Sequence, residues 1–268
     1  MNVNKPQREL SVEEIISQSF RMYRARFVLF FMPFLVAAII TGVFASAIFW
    51  YLPLPSPPPP DASLQVIRDW TLTFFSRLIV IIVLIGIVSW FIGAIATGTV
   101  IKCASDILEK GSSTLKEGFN FTMSKLASLL VAGIITSILT IIGLLFFLLP
   151  GMIFMVMFSL VVPVIIVEQK GVIESLGRSK KLVDHRWLKT FALLMIVGLI
   201  MVAVSWITMT ITTPLGTTRL FVSSTSLFVS GIITAFVTPI FPIATTLLYY
   251  SMVARELQRI PPPPPPLL

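Results

Sequence analysis

The sequence predicts an all-α polytopic membrane protein: six transmembrane helices, arranged as three repeats of a cytoplasmic amphipathic helix followed by a transmembrane hairpin. Three observations predict it. Five long runs carry no charge, the basic residues crowd into the segments on one side of those runs, and a charged amphipathic motif recurs ahead of each pair of spans. A hydrophobic fraction of 56%, only 12% charged residues and a mean hydropathy of +0.96 over 268 residues exclude an ordinary soluble domain. The net charge of +8 reads as orientation and contact with anionic headgroups, with no nucleic acid as partner.

The elements follow in order. "SVEEIISQSFRMYRARF" opens the chain with an amphipathic helix at about 11–26, started by Ser11 and Glu14 at capping-box spacing. Because this polar segment precedes the first apolar run, and that run is longer than a signal sequence's core, the first span is expected to stay in the mature protein. Spans are expected at about 27–50 and 76–101, separated by "LPLPSPPPP", a stiff polyproline spacer. A second amphipathic helix, about 114–125, leads into spans at 126–149 and 151–167, with "LLPGM" as the turn between them and Pro163 inside the shorter one. A third, about 171–186, leads into spans at 188–213 and 226–253, the last interrupted by Pro239 and Pro242, and a disordered proline-rich tail closes the chain at 261–268. The whole, 1–268, is a single integral membrane domain.

Orientation follows from Lys and Arg. Of the 20, 17 fall in the N-terminal segment, the two long internal loops and the C-terminal segment, leaving Arg68, Arg77 and Arg219 opposite. Such a bias places both termini in the cytoplasm of a cell membrane.

The amphipathic segments resemble one another. "SVEEIISQSFRMYRARF" and "GVIESLGRSKKLVDHRW" align without a gap, Glu14 with Glu174, Ser19 with Ser179 and Arg26 with Arg186, and "TLKEGFNFTMSKL" matches through Glu117 and Lys125. The carboxylates read as helix caps. Helical periodicity puts Val12, Ile15, Ser19, Tyr23 and Phe27 on one face, and Ile173, Leu176, Val183 and Trp187 on another such face. The cations opposite, Arg21, Arg24, Arg26, Lys125, Arg178, Lys181, Arg186 and Lys189, are the candidate contacts with lipid headgroups. The competing arrangement packs these helices on one another as a soluble cap.

"LSVEEIISQSFRMYRARF", "LPGMIFMVMFSLVVPVIIVEQKGVIESLGRSKKLV" and "RWLKTFALLMIVGLI" carry a resemblance to the membrane-domain family associated with glycerophosphoryl diester phosphodiesterases, which also occurs as stand-alone six-span proteins. The resemblance implies a six-span membrane domain of no settled activity. No soluble segment is long enough for a catalytic barrel of about 250 residues, so the enzyme activity does not carry over.

Chemistry is sparse. His185 is the sole histidine, and beside Asp184 it reads as a helical neighbour that does not face its partner. Cys103 reads as a small residue closing a helix end, and no metal, nucleophile or phosphate motif occurs, so neither catalytic residues nor a cofactor are expected. The spans hold Ser and Thr instead of charges, and Pro163, Pro239 and Pro242 mark either a polar-lined pocket or kinks whose freed backbone groups those hydroxyls satisfy. The expected function is that of a non-enzymatic scaffold, anchor or lipid-contacting accessory subunit, with anionic lipid and other membrane or peripheral proteins as partners. The alternative is a carrier or channel for an apolar or lipidic solute.

Overall fold

The computed structural model describes residues 5–212 and 224–258, whose regular secondary structure is helical throughout. The expected tail at 261–268, with Arg219 and Arg259, lies outside the described residues. The helices are α1 (Val12–Ala25), α2 (Phe27–Tyr51), α3 (Leu64–Lys110), α4 (Leu115–Phe146), α5 (Leu148–Met157), α6 (Val161–Val167), α7 (Val172–Val183), α8 (Trp187–Thr212), α9 (Ser224–Ala235) and α10 (Ile240–Gln258). Six stretches, α2, α3, α4, α5 with α6, α8 and α9 with α10, are long and apolar enough to cross a membrane.

Boundaries depart from the sequence reading where no breaker residue stops a helix. The second amphipathic segment and its span form the single helix α4, because nothing between Thr114 and Phe146 interrupts backbone pairing. α3 has 47 residues instead of a bare span, about 70 Å at about 1.5 Å per residue. One end of α3 carries the proline-rich segment, which packs back on it instead of standing free as a spacer. Trp70 Nε1 donates to the Pro55 carbonyl at 3.4 Å, and Arg77 Nη1 donates to that of Pro53 at 2.6 Å.

The hairpin turn expected at "LLPGM" is displaced. The chain reverses at Phe147, extended at φ −166° and ψ 156°, and Pro150 and Gly151 fall in the first turn of α5. A proline costs nothing there, since the first helical N–H groups have no intrahelical acceptor. Gly143 of α4 faces Gly151 of α5, and a Cβ on Gly143 would lie 2.9 Å from the Gly151 backbone. The helices therefore cross at backbone contact.

The fourth span is broken between α5 and α6, and the sixth between α9 and α10. Pro163 and Pro242 each occupy the third position of the helix after the break. Each lacks the N–H that would bond the carbonyl four residues earlier, Ser159 or Thr238, and its ring crowds that carbonyl. Pro239 ends the second break.

The amphipathic helices gather at one end of the bundle, the basic end, where α1 packs along α10, α7 along α6, and the start of α4 along α3. The core lies there too. It contains Phe30, Ile101, Ile165, Ile166, Ile243, Leu247 and Leu248, all fully enclosed. Cys103 belongs to this core, in mid-helix against Gly118, and does not close a helix. Toward the opposite end large apolar side chains such as Ile79, Ile82, Val43 and Val202 are exposed, as expected where hydrocarbon takes the place of a protein neighbour.

Candidate functional site

α1 begins with a complete capping box: the Ser11 hydroxyl accepts from Glu14 N–H at 3.1 Å and the Glu14 carboxylate accepts from Ser11 N–H at 2.7 Å. Its inward face is Ile15, Ser19, Met22 and Tyr23, close to the expected stripe. α7 differs. Its buried residues are Ser175, Ser179, Leu182 and Val183, whereas Ile173, expected on the inner stripe, is 73% exposed. Small hydroxyl residues let α7 approach the broken span closely, which a row of large aliphatics would prevent.

That approach has a clear use. Ser179 Oγ donates to the Met157 carbonyl at 2.7 Å and accepts from Leu160 N–H at 3.2 Å, bridging the break between α5 and α6. At the other break Tyr23 Oη donates to the Phe236 carbonyl at 2.7 Å. Local hydroxyls complete the set, Ser159 to the Val156 carbonyl and Thr238 to that of Thr234, each at 2.8 Å. Backbone groups within the two breaks, the Met157 and Phe236 carbonyls and the Leu160 N–H, thus find side-chain partners, as unpaired ones would be costly away from water.

The eight candidate headgroup cations divide into two groups. Arg178, Lys181, Arg186 and Lys189 pair with carboxylates of the protein. Arg178 Nε meets Glu168 at 2.8 Å while its Nη2 meets Glu256 at 2.6 Å, and Lys181 reaches Glu256 at 3.6 Å. Arg186 and Lys189 both meet Glu9 Oε1 at 2.8 Å, and Arg255 lies 3.6 Å from its other oxygen. Burial pushes the Glu9 carboxyl up, but hydrogen bonds from Lys189 and Arg186 outweigh it and leave it below the ordinary value. The same opposition, won by Lys170 and Arg178, lowers Glu168. Arg21, Arg24 and Arg26 are exposed, Lys125 is half-buried, and none of the four has an ion pair among the described residues. Exposed Phe20, Phe27 and Val28 lie beside the three arginines.

Sequence reasoning missed the counter-ions Glu9, Glu168 and Glu256, which lie far along the chain from most of their partners. The sole advance signal was a shortage of acidic residues, 12 against 20 basic, so that each carboxylate had many suitors. His185 and Asp184 also depart from expectation. α7 ends at Val183, His185 takes a left-handed φ of 61°, and in that turn His185 Nδ1 comes 3.0 Å from Asp184 Oδ2. Both side chains are exposed. A groove of about 260 Å³ opens beside them between α7 and α10, edged by Lys181, Arg255 and Glu256. Among the described residues no group of three or more His, Cys, Asp or Glu could hold a metal ion.

Six apolar helices joined at one end by a charged, hydrogen-bonded layer define the class as a multi-pass α-helical membrane protein. Within that class the chain belongs to the family described as Domain of unknown function (DUF7847), whose pattern matches residues 10–252, nearly its full length. No curated protein and no solved structure matches the sequence.

Proposed function

We propose that the protein is a non-enzymatic membrane scaffold or anchor of the cell membrane that holds anionic lipid at its cytoplasmic face through α1. One observation carries the reading: Arg21, Arg24 and Arg26 stand exposed, without carboxylate partners among the described residues, beside exposed Phe20, Phe27 and Val28. An apolar side chain at the acyl boundary and guanidinium groups at phosphate depth are what an interfacial helix presents. Arg178 and Lys181 of α7, Arg186 in the turn after it and Lys189 of α8, by contrast, are engaged by Glu9, Glu168 and Glu256, so the headgroup contact narrows from eight candidates to Arg21, Arg24 and Arg26 with Lys125. The six-span resemblance supports the architecture alone.

The packing also supports the threefold repeat. Each amphipathic helix lies on the second span of the unit before it: α4 on α3, α7 on α6, and α1, closing the cycle, on α10. A unit with two spans returns the chain to its starting side, so successive units share one orientation around an axis along the membrane normal.

Replacing Arg21, Arg24 and Arg26 together with Gln is expected to weaken the binding of copurifying anionic lipid on the order of a hundredfold, each of the three cations near an anionic surface contributing about 1 kcal/mol. Replacing Lys181 and Arg186 instead is expected to change it little. Lipid mass spectrometry in mild detergent at low and high salt reads both, and retention that is insensitive to salt and to the α1 change rejects the headgroup contact.

For topology, Ser63→Cys is expected to react with an impermeant thiol reagent in intact cells and Ser113→Cys only after lysis. Reaction of Ser113→Cys in intact cells overturns the orientation.

A further inference from the structure

A second polar feature lies away from the basic end. Thr136, Ser137, Thr140 and Ile141 of α4, with Met155 of α5 and Phe158 just beyond it, line a groove of about 350 Å³, within the range of small-ligand sites, about 300–1,000 Å³. Thr140 precedes the end of α4 at Phe146 by six residues, about 9 Å along the axis. With α4 read as a span, that depth falls in hydrocarbon, where no water satisfies a polar group.

The hydroxyls there are unequal. Thr136 Oγ1 donates to the Ala132 carbonyl at 2.9 Å, the usual resting place of a hydroxyl in a membrane helix. Ser137 and Thr140 make no hydrogen bond among the described residues. The rest of the lining is aliphatic, thioether and aromatic, with no cation to hold a phosphate and no acid to hold an amine.

From this combination we propose that the groove is a binding site for a neutral lipid, an alkyl or prenyl chain bearing one carbonyl or hydroxyl group. The chain lies against Ile141, Met155 and Phe158, and the polar group pairs with Ser137 and Thr140. An anionic phospholipid is a poor occupant, because its charged headgroup would have to sit at hydrocarbon depth with no partner. The site is separate from the headgroup contact at α1, and either can fail without the other.

The test uses the full-length protein in phosphatidylcholine nanodiscs with a diazirine-bearing long-chain alcohol, mapping photolabelled peptides by mass spectrometry. Label is expected to concentrate on 136–141 and Met155. The pair Ser137→Ala and Thr140→Val is expected to cut it about tenfold, the effect of losing hydrogen bonds to two hydroxyls, with label at exposed Val43 and Val202 unchanged. Ser137→Thr with Thr140→Ser, which keeps both hydroxyls, is expected to restore labelling, separating recognition from a general change of fold. A diazirine alkane lacking the hydroxyl should label the groove no more than the other lipid-facing surfaces. Even labelling by the alcohol over all exposed apolar faces, or groove labelling unmoved by the double substitution, overturns the proposal.

Discussion

Replacing Arg178 with Met is expected to lower unfolding stability by about 3 kcal/mol, the scale of removing one partner from a buried ion pair. The arginine side chain is 16% exposed and Glu168 17%, so the loss leaves carboxylates short of their cation in a poorly solvated layer. Tyr249 donates to the same Glu168 oxygen at 3.1 Å, and Glu256 belongs to α10, so the pairs tie α7 to the end of α6 and to α10. Met keeps the volume of the side chain and removes only its charge and donors.

The sign of the pH dependence follows from Glu168. Its folded-state value is lowered, so its contribution is complete above the ordinary carboxylate value, about 4.3, and disappears as pH falls through the lower folded-state value. The gap between Arg178→Met and wild type should therefore narrow in acid. Thermal unfolding in detergent at neutral and acidic pH measures it. Lys181→Met, at a side chain 74% exposed, is expected to change stability by no more than about 0.5 kcal/mol. Equal effects at the two positions would refute the assignment of Arg178 as the anchor of this layer.

Gly143→Val is expected to be as damaging, about 3 kcal/mol, by overpacking. The added Cβ would meet Phe154 Cδ2 at 2.7 Å and the Gly151 Cα and N at 2.9 Å. An aromatic ring can turn aside, but the facing backbone can retreat only by opening the α4–α5 hairpin. Gly86→Ala supplies the comparison. That glycine also lies in an apolar helix, yet nothing stands within 4 Å of its would-be Cβ, and the change is expected to be neutral or mildly stabilising through helix propensity. Detergent-resistance and thermal-unfolding curves of the two variants check the contrast. A Gly143→Val protein as stable as Gly86→Ala would show that the close crossing is not what holds the hairpin.

What was legible in the sequence follows from local rules. The uncharged runs marked the spans because length and hydropathy suffice for that. Ser11 and Glu14 marked the start of α1 because a capping box is complete within four residues. Pro163 and Pro242 announced breaks because proline's missing donor acts on the carbonyl four residues back. The reading faltered where two local signals competed. Leu148 to Met152 looks like a turn, yet proline is welcome in the first turn of a helix, and the reversal moved to Phe147. The α7 face was read from its large aliphatics, whereas a neighbour at close range selected Ser175 and Ser179.

By itself, then, the sequence determined an all-helical chain with six membrane-length apolar helices and cationic amphipathic segments between them, because backbone groups in hydrocarbon must be satisfied within their own helix and apolar length is a one-dimensional property. Only the tertiary structure decided which cations are spent internally and which remain available. Glu9 meets Arg186 and Lys189 across some 180 positions of chain, and Ser179 closes a break in a helix it does not belong to. Pairings of that kind depend on which helices pack side by side, and no periodicity within a single segment records its neighbours.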